Sequence, residues 1–460
     1  MGKLRFLLAL WMAKLSIPAL KITRHNGTDF PGALAIRICP DFLRYVGKPK
    51  TIVAVTGTNG KTTVSNMLTD ILEAEGVRVM SNRAGSNITS GVSTAFIRNC
   101  DLFGRVKKCD MAVLEVDERS ALRIYPHVRP NFILITNLFR DSIMRNAHPG
   151  YIADILTRGL PRESTLILNA DELISGNVSP ENRRVYYGID RMDSDVQECE
   201  NLLNDMRICP KCAGKLEYAY RRYHHVGHAV CQSCGFHSPD AEYLAQNVDL
   251  DSRTMTLREG GRDEHYPLIT DSIFNVYNMV SVIAALRQLG FDHDTIRRRF
   301  AETKILETRL SEEKVGDINI IMQMSKDKNA LACSRNFDYL RQKKGRKELL
   351  VMMNCMGVAK NWSENPSWMY DTDFEFLNND DVVCLVCAGP RARDYRLRLL
   401  LAGIPEEKIR LEDDEFKALE LLPLTAGDDV YILYGVDGMP LAFRVKAKLK
   451  EMLQGKGGRG

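Results

Sequence analysis

The stretch 51-TIVAVTGTNGKTTV-64 constrains the fold more than any other part of the chain. Its first residues, Thr51 to Val55, are apolar or β-branched and read as a buried strand. The run breaks at the glycine turn Gly57-Thr58-Asn59-Gly60, and Lys61, Thr62 and Thr63 open a helix-like segment. A strand that passes through a glycine turn into a helix is the building unit of α/β layers. The turn also carries chemistry. Its backbone N–H groups point at an anion at a helix N-terminus, Lys61 is placed to reach the β- and γ-phosphates of a nucleotide, and the Thr62 hydroxyl to reach Mg²⁺. The general phosphate-loop pattern asks for glycine five residues before Gly60, where this chain has Val55. The loop is therefore a narrower variant, and a glycine-rich surface loop with no ligand is the alternative.

The chain has 460 residues, which at roughly 100–200 residues per domain means three domains or two large ones. With 45% apolar, 27% charged and 8% aromatic residues it has the composition of an ordinary soluble globular protein. Lysine and arginine outnumber aspartate and glutamate by only 63 to 59, so charge gives no argument for a nucleic-acid partner. The early apolar run Phe6 to Met12 is well short of the roughly 18 residues a spanning helix needs and has no small-residue cleavage site behind it. It reads as a helix packed on its own domain in preference to one lying on a membrane surface. The expected location is the cytoplasm, at most peripheral to the inner face of the membrane.

Of the 12 cysteines, four stand in two knuckles, Cys209-Pro-Lys-Cys212 and Cys231-Gln-Ser-Cys234, separated by residues 213–230. That separation lies in the zinc-ribbon range of about 15–20 residues. Two thiolates from each knuckle complete a tetrahedron with no open position for water, so the expected Zn²⁺ is structural. His224, His225, His228 and His237 lie nearby, but four thiolates already suffice. Cys384-Leu-Val-Cys387 has the same spacing inside the apolar run "DDVVCLVCAG" and reads as two core cysteines on a buried strand.

The form Gly57-Thr58-Asn59-Gly60-Lys61-Thr62-Thr63 closely resembles the ATP loop of the Mur ligase superfamily, enzymes that add amino acids to peptidoglycan precursors or to folate. Further residues follow in the family's order. Glu115, at the end of the apolar run in "CDMAVLEVDERS" and followed by Asp117 and Glu118, matches the glutamate that binds Mg²⁺. "PNFILITNLFRD" is a further strand leading to Asn137, Arg140 and Asp141, with Ser142 where most of the family has histidine. Asn275 and Asn278 resemble the adenine-contacting asparagines, and Arg309 the arginine at the domain junction. The resemblance thus implies ATP bound by Gly57 to Thr63, Asn275, Asn278 and Arg309, with Mg²⁺ on Thr62 and Glu115.

The cysteine ribbon narrows the resemblance to one branch, the MurT subunits of lipid II isoglutaminyl synthase, which work with a separate GatD-type glutaminase. "NGTDFPG" (26–32), "TNLFRD" (136–141), "SWMYDTDFE" (367–375) and "AGPRARDYRLRL" (388–399) resemble that branch too. Lys326-Asp327-Lys328-Asn329-Ala330 and 360-KNWSENPSW-368 depart from it, at a loop that helps hold the nucleotide ribose and at one beside the glutaminase contact. The implied reaction is ATP-dependent amidation of the α-carboxylate of D-glutamate in the lipid II stem peptide, through an acyl phosphate that ammonia attacks. Lys61, Thr62 and Glu115 would position and neutralise the phosphoryl group. No cysteine stands at a recognisable nucleophile turn, so the ammonia must come from the glutaminase. Asp371 is expected to orient the catalytic histidine of that partner, with Asp373 the next candidate.

The expected fold is α/β. A lead-in (1–45) precedes a parallel-sheet ATPase domain (46–305) with the zinc ribbon inserted at 199–240. A smaller Rossmann-like α/β domain (306–460) follows, in which "KELLVMMN", "DVVCLVCAG" and "DDVYILYG" read as buried parallel strands. The run 292-DHDTIRRRFAETK-304 reads as a solvated helix face, and the tail "GKGGRG" as disordered. Two rival functions remain: a Mur-like ligase that adds an amino acid, which requires a complete amino-acid carboxylate pocket in the last domain, and a non-catalytic scaffold that binds ATP and zinc.

Overall fold

A computed structural model describes residues 2–22, 27–107, 109–140, 148–303, 310–325, 329–353 and 366–457. Arg309, Asp141, Ser142, Lys326 to Lys328 and residues 360–365 lie outside them. The chain forms two compact units, one of Met1–Phe139, Pro149–Glu200 and Asn204–Leu306, the other of Arg140–His148, Asn201–Leu203 and Glu307–Gly460.

In the first unit the strands are β1 (Thr51–Thr56), β2 (Val79–Ser81), β3 (Met111–Glu115), β4 (Phe132–Ile135), β5 (Thr165–Asn169) and β6 (Arg184–Ile189). After the ribbon hairpin β7 (Leu216–Tyr223) and β8 (Val226–Cys231) come β9 (Tyr243–Asp249), β10 (Thr254–Glu259) and β11 (Arg262–Pro267). They build a sheet in the order β11-β10-β9-β6-β5-β4-β1-β3-β2. It is parallel from β2 to β9 and ends in an antiparallel meander. The chain leaves β1 toward β2 and β3 on one side and returns to β4 on the other, so the strand order reverses between β1 and β4. In open α/β sheets the crevice beyond the strand ends at such a reversal is where ligands bind.

The main helices of this unit are α1 (Gly2–Ile22), α2 (Phe30–Ile38), α3 (Lys61–Ala74), α4 (Thr89–Arg98), α5 (Pro149–Gly159), α6 (Ile273–Gln288) and α7 (His293–Glu302). The N-terminal segment is built into the core: Phe6 and Leu10 of α1, with Phe42, join Ile52 of β1 and Leu114 of β3 in one cluster of buried side chains. On α7 the arginine run is neutralised, since Arg297 pairs with Asp294, Arg298 with Glu75, and Arg299 with Glu75 and Glu302.

The second unit holds β12 (Leu310–Val315), β13 (Ile318–Met324), β14 (Lys347–Met352), β15 (Val382–Ala388), β16 (Ile409–Glu412) and β17 (Asp429–Tyr434), in the order β12-β13-β17-β14-β15-β16. The three segments expected as buried parallel strands are β14, β15 and β17, parallel neighbours whose inner residues are buried. Only the β12–β13 hairpin is antiparallel. Helices α8 (Ala330–Gln342), α9 (Ala392–Leu401) and α10 (Met439–Gly457) accompany the sheet. Cys384 and Cys387 are buried core residues on β15, where burial pushes their thiols up to about 11 and about 12.

Candidate functional site

The turn after β1 is held to the end of β4 by a set of hydrogen bonds. Thr58 N–H donates to Asn137 O (2.8 Å), Asn59 N–H to Asn137 Oδ1 (3.1 Å), Thr136 Oγ1 to Asn59 O (2.6 Å) and Phe139 N–H to Thr58 Oγ1 (3.0 Å). Both glycines are required. Gly57 has φ +125° and lies so close to β4 that a Cβ would stand 2.3 Å from Thr136 Oγ1. Gly60 has φ +87°, and its Cβ would stand 2.4 Å from Asn278 Oδ1.

Lys61 opens α3, and its Nζ donates to the carbonyls of Gly57 and Thr58 and to Glu118 Oε1 at 2.8 Å. The cation is thus held over the loop at a helix N-terminus, the geometry that suits a polyphosphate. Thr62 is exposed and Thr63 half-buried beside it. Glu115 ends β3, opposite Val55 of β1, and its Oε1 accepts from Asn87 Nδ2 at 2.9 Å. Asp117 accepts the N–H of Arg119 and starts the short turn that carries Glu118. Glu118 is fully buried, and its burial raises the carboxyl against the lowering effect of Lys61. The sequence singles out Glu115 among these three acids, but Glu118 is the one that meets the lysine. Its position three residues beyond Glu115, in a turn, gives no periodic signal of that contact.

Asn275 and Asn278 lie in the first turn and a half of α6 and bond to each other, Nδ2 of Asn278 to Oδ1 of Asn275 at 3.1 Å. Asn278 is the residue packed against Gly60. The structure therefore brings Gly57 to Thr63, Glu115, Asn275 and Asn278 to one end of one sheet. Arg309 lies outside the described residues.

The four knuckle cysteines form a cluster whose sulfur atoms all lie within 4.8 Å of one another, the only such metal-ligating group among the described residues. Cys209 Sγ stands 3.7 Å from Cys234 Sγ, and Cys212 Sγ 3.5 Å from Cys231 Sγ. These separations are too long for a disulfide of about 2.05 Å and close to the edge of a tetrahedron with Zn–S bonds of about 2.3 Å. Backbone N–H groups of Lys211 and Gly214 point at Cys209 Sγ and Cys212 Sγ. Ala213 (φ +58°) and Gly235 (φ +69°) close the two knuckles in the left-handed region. Burial opposes ionisation of Cys231, but N–H groups of Cys234 and Ser233 hold its thiol down at about 7. The Gly214 N–H lowers Cys212, yet the surrounding sulfurs push it up to about 12. Four thiols this close share protons that a bound cation replaces, so the donor set fits Zn²⁺. The four nearby histidines take no part: His237 bonds to Ser238 O, His228 stacks on Tyr220, and His224 and His225 sit at the far end of the hairpin.

That far end reaches the glycine turn after β1. His225 is buried, its ring 4.4 Å from that of Phe139, and its Nε2 is 2.9 Å from Glu172 Oε1. Glu172 also accepts the N–H groups of Leu138 (2.9 Å), Ile174 (2.8 Å) and Ser175 (3.0 Å). Tyr223 packs on Phe274 of α6 at 4.3 Å. The ribbon hairpin therefore props both the segment bonded to Thr58 and the start of the helix that carries Asn278. Neither Glu172 nor Phe139 has a sequence signature, because their partners stand 53 and 81 positions away.

In the second unit, Asp371 ends the 3₁₀ turn Pro366–Asp371. Its side chain is 29% exposed, and Arg140 Nη1 is 3.9 Å from its Oδ2. Buried Arg398 pins the turn, donating to Met369 O (3.0 Å), Thr372 O (2.8 Å) and Glu375 (2.7 Å). Asp373 is different in kind. It is buried and accepts from Leu202 N–H (2.6 Å) and Asn201 Nδ2 (2.8 Å), which makes it a structural acceptor.

Two family models match the chain, Mur ligase middle domain over residues 55–206 and MurT ligase C-terminal over residues 327–436. The lipid II isoglutaminyl synthase (glutamine-hydrolyzing) subunit MurT of Staphylococcus aureus (strain COL) is 31% identical over 418 residues, 89% of this chain and 91% of the relative. The protein of the same name from Streptococcus pneumoniae is 28% identical over 428 residues, 91% and 92% of the two chains. Among solved structures, a pseudomurein peptide ligase type C from Methanothermus fervidus shares the fold with a TM-score of 0.64 and 24% identity, covering 89% of this chain and 81% of that one. A MurF ligase from Thermotoga maritima in complex with ADP does so with a TM-score of 0.56 and 15% identity, covering 94% and 85%.

Proposed function

The chain belongs to the MurT family of Mur ligases, and on that premise we propose that it is the synthetase subunit that amidates the α-carboxylate of D-glutamate in lipid II, using ATP and ammonia. The observation that carries this is the placement of Lys61 at the head of α3, over the turn Gly57–Gly60, with open Thr62 and the carboxylate of Glu115 on the neighbouring strand. In this reading the γ-phosphoryl group passes from ATP to the substrate carboxylate, releasing ADP. Ammonia then attacks the carbonyl of the acyl phosphate, phosphate leaves, and the amine sheds a proton to give D-isoglutamine. Lys61 and the loop N–H groups hold the phosphates and offset charge as it moves, which is most of what phosphoryl transfer demands. Thr62 and Glu115 would hold Mg²⁺, which supplies further charge neutralisation on the phosphates. Gly57 to Gly60 let the backbone approach, and Asn275 and Asn278 close the site beside Gly60. Arg309 is assigned to the nucleotide by resemblance alone. Zinc on Cys209, Cys212, Cys231 and Cys234 would be structural.

The relatives are named as subunits of a glutamine-hydrolyzing synthase, which supports a GatD-type glutaminase as partner and source of the ammonia. Asp371, half-open on a turn pinned by Arg398, is the carboxylate proposed to orient the partner's catalytic histidine. The work would take place in the cytoplasm, on a lipid-linked acceptor at the inner membrane surface. The test is to incubate the purified chain with its glutaminase, ATP, Mg²⁺, glutamine and lipid II, and to follow the stem peptide by mass spectrometry. Replacement of one carboxyl by a carboxamide, dependent on ATP, is expected. Transfer of an amino acid instead, or ATP binding with no product, would overturn the reading.

A further inference from the structure

We propose that the outward face of α1, with the adjoining loop after Asp101, docks on an anionic bilayer surface. The choice of a membrane over a protein partner rests in part on the lipid-linked acceptor proposed above.

Helix α1 is apolar on both faces, and only one of them is covered. Phe6, Ala9, Leu10 and Ala13 are buried against the first unit. The opposite face carries Leu4, Leu8, Trp11, Met12, Leu15 and Ile22, all exposed, with Leu4 at 75% and Leu15 at 67%. Positions 4, 8, 11, 12, 15 and 22 fall on one stripe of a helix, and at 1.5 Å per residue it extends roughly 27 Å. An exposed apolar stripe of this length on a folded protein marks a contact with another protein or with lipid. The loop lengthens the patch: Trp11 Nε1 donates to Leu102 O (2.8 Å), and Leu102 and Phe103 stand 60% and 66% exposed beside it.

Charge selects the occupant. Over the whole chain basic and acidic residues nearly balance, 63 to 59. Yet α1 contains Lys3, Arg5, Lys14 and Lys21 and no acidic residue; Arg5 and Lys14 are turned onto the carbonyls of Ile38, Ile97 and Cys100, while Lys3 is exposed, and the loop 102–107 adds exposed Arg105 and Lys107, again without an acid. Arg105 lies against the Phe103 ring at 5.9 Å. The one carboxylate at the loop, Asp101, is committed to the N–H groups of Phe103 and Arg105 at 2.8 Å each. Apolar and aromatic side chains flanked by cations alone are the composition of a helix that lies in the plane of an anionic interface. No described helix is long and apolar enough to cross a membrane, so the contact is peripheral.

The experiment is co-sedimentation of the full chain with phosphatidylcholine vesicles that contain or lack phosphatidylglycerol. Binding to the phosphatidylglycerol vesicles, weakened by high salt, is expected. Leu8→Glu/Leu15→Glu should lower the bound fraction at least about tenfold with an unchanged thermal melt, because both side chains already face water. Lys3→Glu/Arg105→Glu should lower it on anionic vesicles only. No sedimentation of the parent chain with either vesicle overturns the proposal. So does a double leucine variant that binds vesicles normally but loses self-association or its glutaminase, since the face then belongs to a protein. Amidation of an acceptor analogue lacking the lipid tail separates the two readings. Vesicle binding without amidation sinks the enzymatic reading and leaves this one; amidation without vesicle binding does the reverse.

Discussion

Lys61 is held by three acceptors around the place where a polyphosphate would lie, the carbonyls of Gly57 and Thr58 and the carboxylate of Glu118. Lys61→Ala is expected to lower ATP-dependent amidation at least about 10²-fold even with ammonium as the nitrogen donor, because the moving phosphoryl charge loses its side-chain partner. Near-normal turnover in a steady-state assay of that variant would remove the loop from the reaction. In the proposed function Asp371 serves the other half-reaction. Asp371→Asn preserves the turn but presents the wrong group to an imidazole, so glutamine-driven amidation should fall by about 10²–10⁴-fold while ammonium-driven amidation persists. Equal loss with both donors would place Asp371 at the ligase site, and no loss with either would make it a surface carboxylate. The glycine turn with Lys61 and Thr62 at the head of a helix was legible because it is written in consecutive residues. The pairing of Lys61 with Glu118 and the commitment of Asp373 to Asn201 and Leu202 were not, since each joins residues far apart in the chain.

At the scale of elements, the cysteine ribbon and the glycine turn after β1 share a support. The hairpin β7–β8 carries the second cysteine knuckle at one end and His225 at the other, and His225 packs on Phe139, whose N–H bonds to Thr58. Chelation of zinc, or Cys209→Ser with Cys231→Ser, should lower the melting temperature and also weaken binding of a fluorescent ATP analogue, because metal binding and local folding are coupled. An unchanged melt and unchanged nucleotide affinity would dismiss the ribbon as a support. Glu172 is the hinge of this contact. Burial alone pushes its carboxyl up, but His225, the Ser175 side chain and the N–H of Leu138 outweigh burial and hold it below the ordinary carboxylate range. A value lowered by folding adds stability at neutral pH that is lost as the pH falls below about 4.3 and through the folded-state value. The first unit should therefore be acid-labile in that window, read by circular dichroism against pH. Glu172→Leu, which strands buried donors, should cost about 3–5 kcal/mol at neutral pH and remove that part of the acid dependence. The ribbon itself was legible from its two CxxC knuckles, whereas what its far end touches was decided by the fold.

For the molecule as a whole, two units with separate hydrophobic cores predict two unfolding transitions in scanning calorimetry. ATP with Mg²⁺ should raise chiefly the transition of the unit that carries Lys61, because most of the residues assigned to the nucleotide lie there and a ligand stabilises the fold that binds it. A single transition, or equal shifts of two, would contradict this. What the sequence determined by itself is everything carried by short-range pattern: the α/β class, the strands β1, β14, β15 and β17, the glycine turn that opens α3, and the clustering of the four knuckle cysteines. Propensity, alternation and ligand spacing act over a few residues, so they can be read along a line. The tertiary structure alone decided which acid meets Lys61, that Asn278 lies against Gly60, that Glu172 and Phe139 join ribbon to loop, and that α1 leaves one apolar face in water. Those outcomes depend on strand order and helix crossing, which bring together residues tens of positions apart and write no local period into the chain.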